Sequence, residues 1–184
     1  MYDKLDAGAV AILSNLTSTP DIYDLPLGLN AEGFWYNKAL FAQAGIEAAP
    51  ATYDEMLADC EKLMAAGIQP FAVGGADKWP ATRLINAYVM RKLGVDALAK
   101  CAAGELSYVN DGIVEGAQLL QDMCNKGYFG EGPTTVDYNT AANMLMSGKA
   151  AMLYNGSWFT QNLASTDNPA GEDGIGFFNI PTVT

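Results

Sequence analysis

The chain contains no histidine, so it lacks the side chain most often used as a general base or metal ligand. A catalytic site would have to rest on carboxylates, Lys, Tyr or Ser. Cysteine is scarce as well. Cys60, Cys101 and Cys124 make an odd count of 3, and their spacings match no metal, redox or disulfide framework. Cys60 and Cys124 fall on apolar faces of helical patterns and read as small buried hydrophobes. Basic residues number only 10 against 21 acidic ones, for a net charge of −11. That balance argues against nucleic acid and against adhesion to an anionic membrane. No apolar run approaches the eighteen or so residues a spanning helix needs, and no basic-then-apolar signal opens the chain. Met1 runs directly into a helical pattern, so any export signal is expected outside these residues. Internal repeats and low-complexity tracts are missing too.

What is present is apolar mass and punctuation. Half of the 184 residues are hydrophobic, enough for one domain with a sizeable core. An apolar run from Ala9 to Leu13 reads as a short helix ending near Ser14, and Thr17–Asp24 reads as a turn around Pro20. Leu25–Tyr36 is broken by Pro26, Gly28 and Gly33, the pattern of an extended crossing followed by a strand. Asn37 is placed to cap a short helix closed by Gly45. Thr52 and Glu55 form the capping-box pattern T-x-x-E, with Met56, Leu57, Cys60, Leu63 and Met64 at helical spacing before Gly67. Ile68–Val73 reads as a buried strand, and Pro80 as the first turn of a helix reaching Leu93. Asn110 or Asp111 caps a helix over 112–126 whose Ile113, Ala117, Leu120 and Cys124 share a face. A further helix over 139–147 leads into the most informative stretch. Strands alternating with helices define an α/β unit with a mixed sheet.

That stretch is Gly148–Trp158, GKAAMLYNGSW. Lys149–Tyr154 is a short apolar run bounded by glycines, the mark of a strand covered on both faces. Gly156 permits a sharp bend, and Ser157 is placed to cap a helix opening at Trp158. An indole and free backbone N–H groups then stand at the carboxyl end of a strand, where open α/β sheets bind ligands. A last strand over 174–180 stops at Pro181.

Taken in order, these segments resemble the extracellular solute-binding proteins of ABC transporters, especially the sugar-binding group that includes maltose-binding protein. The resemblance is carried by the Pro26–Asn30 crossing, WYNKALFAQAGI (35–46), PATYDEMLADCEKLMAAGIQPFAVGG (50–75), DKWP (77–80), SGKAAMLYNGSW (147–158) and GIGFFNIPT (174–182). It implies an α/β fold of the type II periplasmic-binding-protein class, mainly the second lobe with its two hinge-crossing segments. Residues 1–32 would be the end of the first lobe and a crossing, 33–176 the second lobe, and 177–184 the return strand. The family's proteins are well over this length, so one wall of a ligand cleft is expected here. Carried over by position, the ligand contacts fall on Asn30, Asp77, Trp79 and Trp158. Asn30 and Asp77 would be polar partners, and the two indoles would line one shared recess. Trp35 and Tyr36 read as core.

The implied function is non-catalytic capture of a mono- or oligosaccharide for an ABC importer. The chain would be a monomer outside the cytoplasm, in the periplasm or lipid-anchored at the cell surface, that hands its ligand to membrane permease subunits. No cofactor or metal is implied. Two other readings use the same residues. The fold could hold a polyamine or a peptide, although two stacking indoles beside one acidic group suit a sugar better. A glycoside hydrolase would need two paired carboxyl groups. Asp77, Glu131, Asp137 and Asp173 are available, but no spacing pairs any two of them.

Overall fold

The computed structural model describes residues 4–17, 19, 21 and 23–184, and the chain divides into two compact units, Met1–Ala31 and Glu32–Thr184. In the first unit α1 spans Ala7–Thr17. It opens where Asp6 Oδ1 accepts from the amides of Gly8 and Ala9 at 2.8 and 3.1 Å, one side chain satisfying two orphan donors. The helix continues past Ser14, the expected end, because neither Gly nor Pro interrupts it before Pro20. Pro20 itself, expected in a turn, lies outside the described residues. Residues 23–31 have no regular structure, and Leu25, Leu27 and Leu29 are exposed.

In the second unit, four described strands form one sheet. They are β1 (Glu32–Asn37), β2 (Gln69–Ala72), β3 (Ala150–Gly156) and β4 (Ile175–Asn179). Their order is β2-β3-β1-β4. β1 pairs antiparallel with both β3 and β4, while β2 and β3 are parallel. Every residue of β3 is buried: its apolar run Ala150–Tyr154 is followed by the buried polar Asn155.

Helices cover both faces of the sheet. The helices are α2 (Lys38–Gln43), α3 (Tyr53–Ala65), α4 (Trp79–Leu93), α5 (Ala97–Ala102), α6 (Asp111–Asn125), α7 (Tyr138–Met146) and α8 (Thr160–Leu163). On one face Phe34 stacks 5.2 Å from Phe178 and joins Met56, Cys60, Leu63, Leu84 and Met123 from α3, α4 and α6. On the other, Trp35 joins Ala142, Leu145 and Leu163 from α7 and α8. Successive residues of β1 thus serve opposite cores, as the pleat requires. Each large side chain removed from water contributes about 1.5–3 kcal/mol.

Local signals set most helix starts. Thr52 Oγ1 accepts from the Glu55 amide at 3.1 Å while Glu55 Oε2 accepts from the Thr52 amide at 3.2 Å, a complete capping box. Asn37 and Asn110 cap α2 and α6 through their side-chain oxygens.

Three details differ from the sequence reading. In α6 the buried positions are Gly112, Gly116 and Met123, and Ala117 and Cys124 face solvent. A Cβ on Gly116 would stand 3.3–3.4 Å from Tyr88, Val89 and Ile85 of α4, so this glycine lets the two helices close together and rotates the buried stripe by one residue. The buried thiols are therefore Cys60 and Cys101. Helix α7 starts one residue earlier than expected because Asp137 Oδ1 caps it through the Thr140 amide at 2.7 Å. Finally, the segment after β3 opens as a 3₁₀ turn, Ser157–Phe159, whose cap position is Gly156 and carries no side-chain bond.

Candidate functional site

Sheet topology gathers one cluster at one edge. Because β2 and β3 are parallel, the loops leaving their carboxyl ends emerge on the same side. One carries Asp77 and Trp79, the other Trp158. Helix α7 leads into β3 and runs back along the sheet, which returns its first residue, Tyr138, to that edge. Glu32 opens the antiparallel β1 directly opposite Gly156. Arg83 follows Trp79 by four residues on α4 and so shares its face.

The two indoles lie with ring centroids 6.5 Å apart and planes inclined at 58°. Tyr138 lies 5.5 Å from Trp79, inclined at 31°. Trp79 is 39% exposed, which leaves ring face available to a ligand, and Trp158 is half-buried. A sugar ring held between two parallel aromatic planes needs a separation of about 7–8 Å. These indoles are closer and tilted, so they form an aromatic corner that offers one stacking surface.

Hydrogen bonds fix the corner. Trp158 Nε1 donates to Tyr138 Oη at 2.9 Å, and Asn155 Nδ2 donates to the same oxygen at 3.1 Å. Asn155 is buried and its Oδ1 accepts from the Gly156 amide at 2.9 Å. Among the described residues the Tyr138 hydroxyl donates only to Asn155 Oδ1, at 3.5 Å, the limit of a hydrogen bond. It therefore remains able to donate to a ligand oxygen. Beneath Trp158, a Cβ on Gly156 would overlap the six-membered ring, so the indole rests directly on the backbone of the turn.

Asp77 Oδ2 accepts from the Tyr138 amide at 2.6 Å. Asp77 and Asp137 thus both serve the N-terminus of α7, and the Thr140 amide, followed by its hydroxyl, holds the Asp137 carboxyl below the usual carboxylate range. Lys78, just before Trp79, has φ 66° and ψ −52°, the one positive-φ non-glycine among the described residues. Such strain persists only where the surroundings over-determine it, here at the start of the helix that presents Trp79.

Two charged residues complete the cluster. Arg83 pairs with Glu32, and the Arg83 guanidinium carbon lies 4.9 Å from the Trp79 centroid and 5.7 Å from that of Trp158. Glu32 Oε2 accepts from Tyr154 Oη at 3.2 Å.

Of the four residues singled out in the sequence, the structure brings together Asp77, Trp79 and Trp158. Asn30 lies in the first unit, on its exposed irregular segment. Trp35 is buried, its Nε1 donating to the Asn155 carbonyl at 3.3 Å. Tyr138, Arg83 and Glu32 went unmarked in the sequence reading. Tyr138 could have been found as the aromatic at the start of the helix feeding β3, whereas the ion pair joins residues 51 positions apart in sequence and leaves no local signal. Among the described residues no group of His, Cys, Asp and Glu is placed to hold a metal ion, and no helix is long and apolar enough to cross a membrane.

Comparison with known proteins agrees with this architecture. An ABC transporter extracellular-binding protein of Pyrococcus horikoshii is 32% identical over 139 residues, covering 74% of this chain and 31% of the relative. The multiple sugar-binding protein of Streptococcus mutans is 28% identical over 169 residues, covering 87% of this chain and 38% of the relative. Among solved structures, a chitin oligosaccharide binding protein superposes with a TM-score of 0.84 at 30% identity, covering 95% of this chain and 47% of that one. The fold is α/β, of the type II periplasmic-binding-protein class. Residues 2–184 match the bacterial extracellular solute-binding proteins, and the chain belongs to that family. It spans from 31% to 47% of the length of these three proteins.

Proposed function

We propose that this chain supplies one wall of a carbohydrate-binding cleft in the solute receptor of an ABC importer. Capture is non-covalent and takes place outside the cytoplasm, and the ligand passes to membrane permease subunits. The observation that carries the reading is the corner formed by Trp79, Tyr138 and Trp158. A pyranose has apolar C–H faces that pack on indole, and its hydroxyl rim both donates and accepts. The Tyr138 hydroxyl and the outer oxygen of Asp77 stand beside the indoles to meet that rim. In this reading residues 33–176 form the second lobe, residues 1–32 the end of the first lobe and a crossing, and residues 177–184 the return strand. The names of the sugar-binding relatives support the ligand class.

The three indole N–H signals test it directly. Titration with a panel of sugars should move the Trp79 and Trp158 resonances saturably and leave buried Trp35 in place. The expected affinity is roughly millimolar, as suits a single wall. Trp158→Ala should abolish the response while a cooperative melt persists. A response to spermidine, with none to any sugar, would replace the ligand class.

A further inference from the structure

The chain carries a net charge of −11, and an acidic protein concentrates cations around itself. Two indoles beside a carboxylate are also a good receptor for an ammonium group, because the ring faces carry negative charge. Both features would draw polyamines and quaternary amines to this corner. The structure places a cation there already. Arg83 lies within 6 Å of both indoles and pairs with Glu32, whose second oxygen is taken by Tyr154. The guanidinium is thus held from three directions, and it neutralises the one carboxylate that faces the rings from β1.

We propose that Arg83 is the specificity-determining residue of this corner: it occupies the cation position of the aromatic cage, excludes cationic ligands, and leaves the outer indole faces and its own N–H donors to neutral or anionic ligands rich in oxygen. The inference rests on reading this corner as the ligand site. It also assigns Glu32 a role, since the carboxylate anchors Arg83 where it covers both rings. A guanidinium is planar and stacks on aromatic faces, whereas an ammonium is a compact point charge. Lysine at position 83 should therefore still exclude cations while supporting the indoles less well.

The test compares wild type, Arg83→Met, Arg83→Gln, Arg83→Lys and the double variant Glu32→Gln/Arg83→Met. Each is first melted, then titrated with tetramethylammonium and spermidine while the indole N–H resonances are followed. Wild type and Arg83→Lys should give no saturable response at Trp79 or Trp158. Arg83→Met should bind tetramethylammonium at least about tenfold more tightly than wild type, the scale of a partly desolvated cation–π contact. The double variant should lose most of that gain, because the freed carboxylate is gone. If Arg83→Met does not fold, Arg83→Gln carries the comparison. Saturable cation binding by wild type, or a folded Met or Gln variant that gains none, overturns the proposal. A wild type that binds neither sugar nor cation, with a gain on removing Arg83, leaves the cation exclusion standing and refutes only the carbohydrate reading.

Discussion

Replacing Gly156 with alanine probes the corner through its backbone support. The residue has φ −86° and ψ 171°, an extended conformation open to any L-residue, so the main chain itself does not resist. The added methyl would fall on the six-membered ring of Trp158, and the ring must move. Overpacking of this kind costs about 1–3 kcal/mol, and the displaced indole forfeits its bond to Tyr138, about 0.5–1.5 kcal/mol. Trp158 is only half-buried and can swing toward solvent, which places the net loss near the lower end, about 1–2 kcal/mol. For a chain of this size that lowers Tm by roughly 2–8 °C. The larger effect should be on ligand: losing one stacking face weakens sugar binding about tenfold. A thermal melt and a sugar titration followed at the indole N–H signals report the two effects separately. If Gly156→Ala leaves the Trp158 resonance, the melt and the sugar response at wild-type values, Trp158 does not rest on this turn and the corner is wrongly built.

Two further outcomes follow from the scaffold. Thr52→Ala removes the acceptor of the Glu55 amide and should cost about 1 kcal/mol, while Thr52→Ser stays near wild type; equal melts for all three would show the capping box contributes nothing. Alkaline stability should also fall. Burial and then Tyr53 push the Tyr154 hydroxyl up to about 12, against the pull of Arg83, and burial and Tyr88 raise Tyr53. A phenol whose folded pKa lies above its unfolded value near 10 gives its full stabilisation below that pH and loses it as pH rises toward the folded value. Melting temperature should therefore decline between about pH 10 and 12, and less steeply in Tyr53→Phe/Tyr154→Phe. An identical alkaline slope in the double variant would remove these tyrosines as the cause.

Helix starts were legible because their signals are local: Asn37, Thr52 with Glu55, and Asn110 each bond an amide two or three residues ahead. The mixed α/β sheet was legible from apolar runs bounded by glycine. The face of α6 was not, since its rotation depends on how closely α4 approaches Gly116, a tertiary fact. Helix α1 ran on past Ser14 because a serine alone does not stop a helix. At the site, the indoles stood out as aromatics beside glycine turns. Tyr138 and the Arg83–Glu32 pair did not, because only the parallel alignment of β2 with β3 and the return of α7 bring them to the same edge.

The strand order has a consequence for how the chain comes into being. β1 sits between β3 and β4, and both of its neighbours lie more than a hundred residues downstream in the sequence. During synthesis at about 5–20 residues per second, the Phe34-Trp35-Tyr36 segment leaves the ribosome many seconds before either flank exists. Until then its ladder of amides and carbonyls has neither partner strand to pair with, so the sheet closes around β1 only after β3 and β4 have been made.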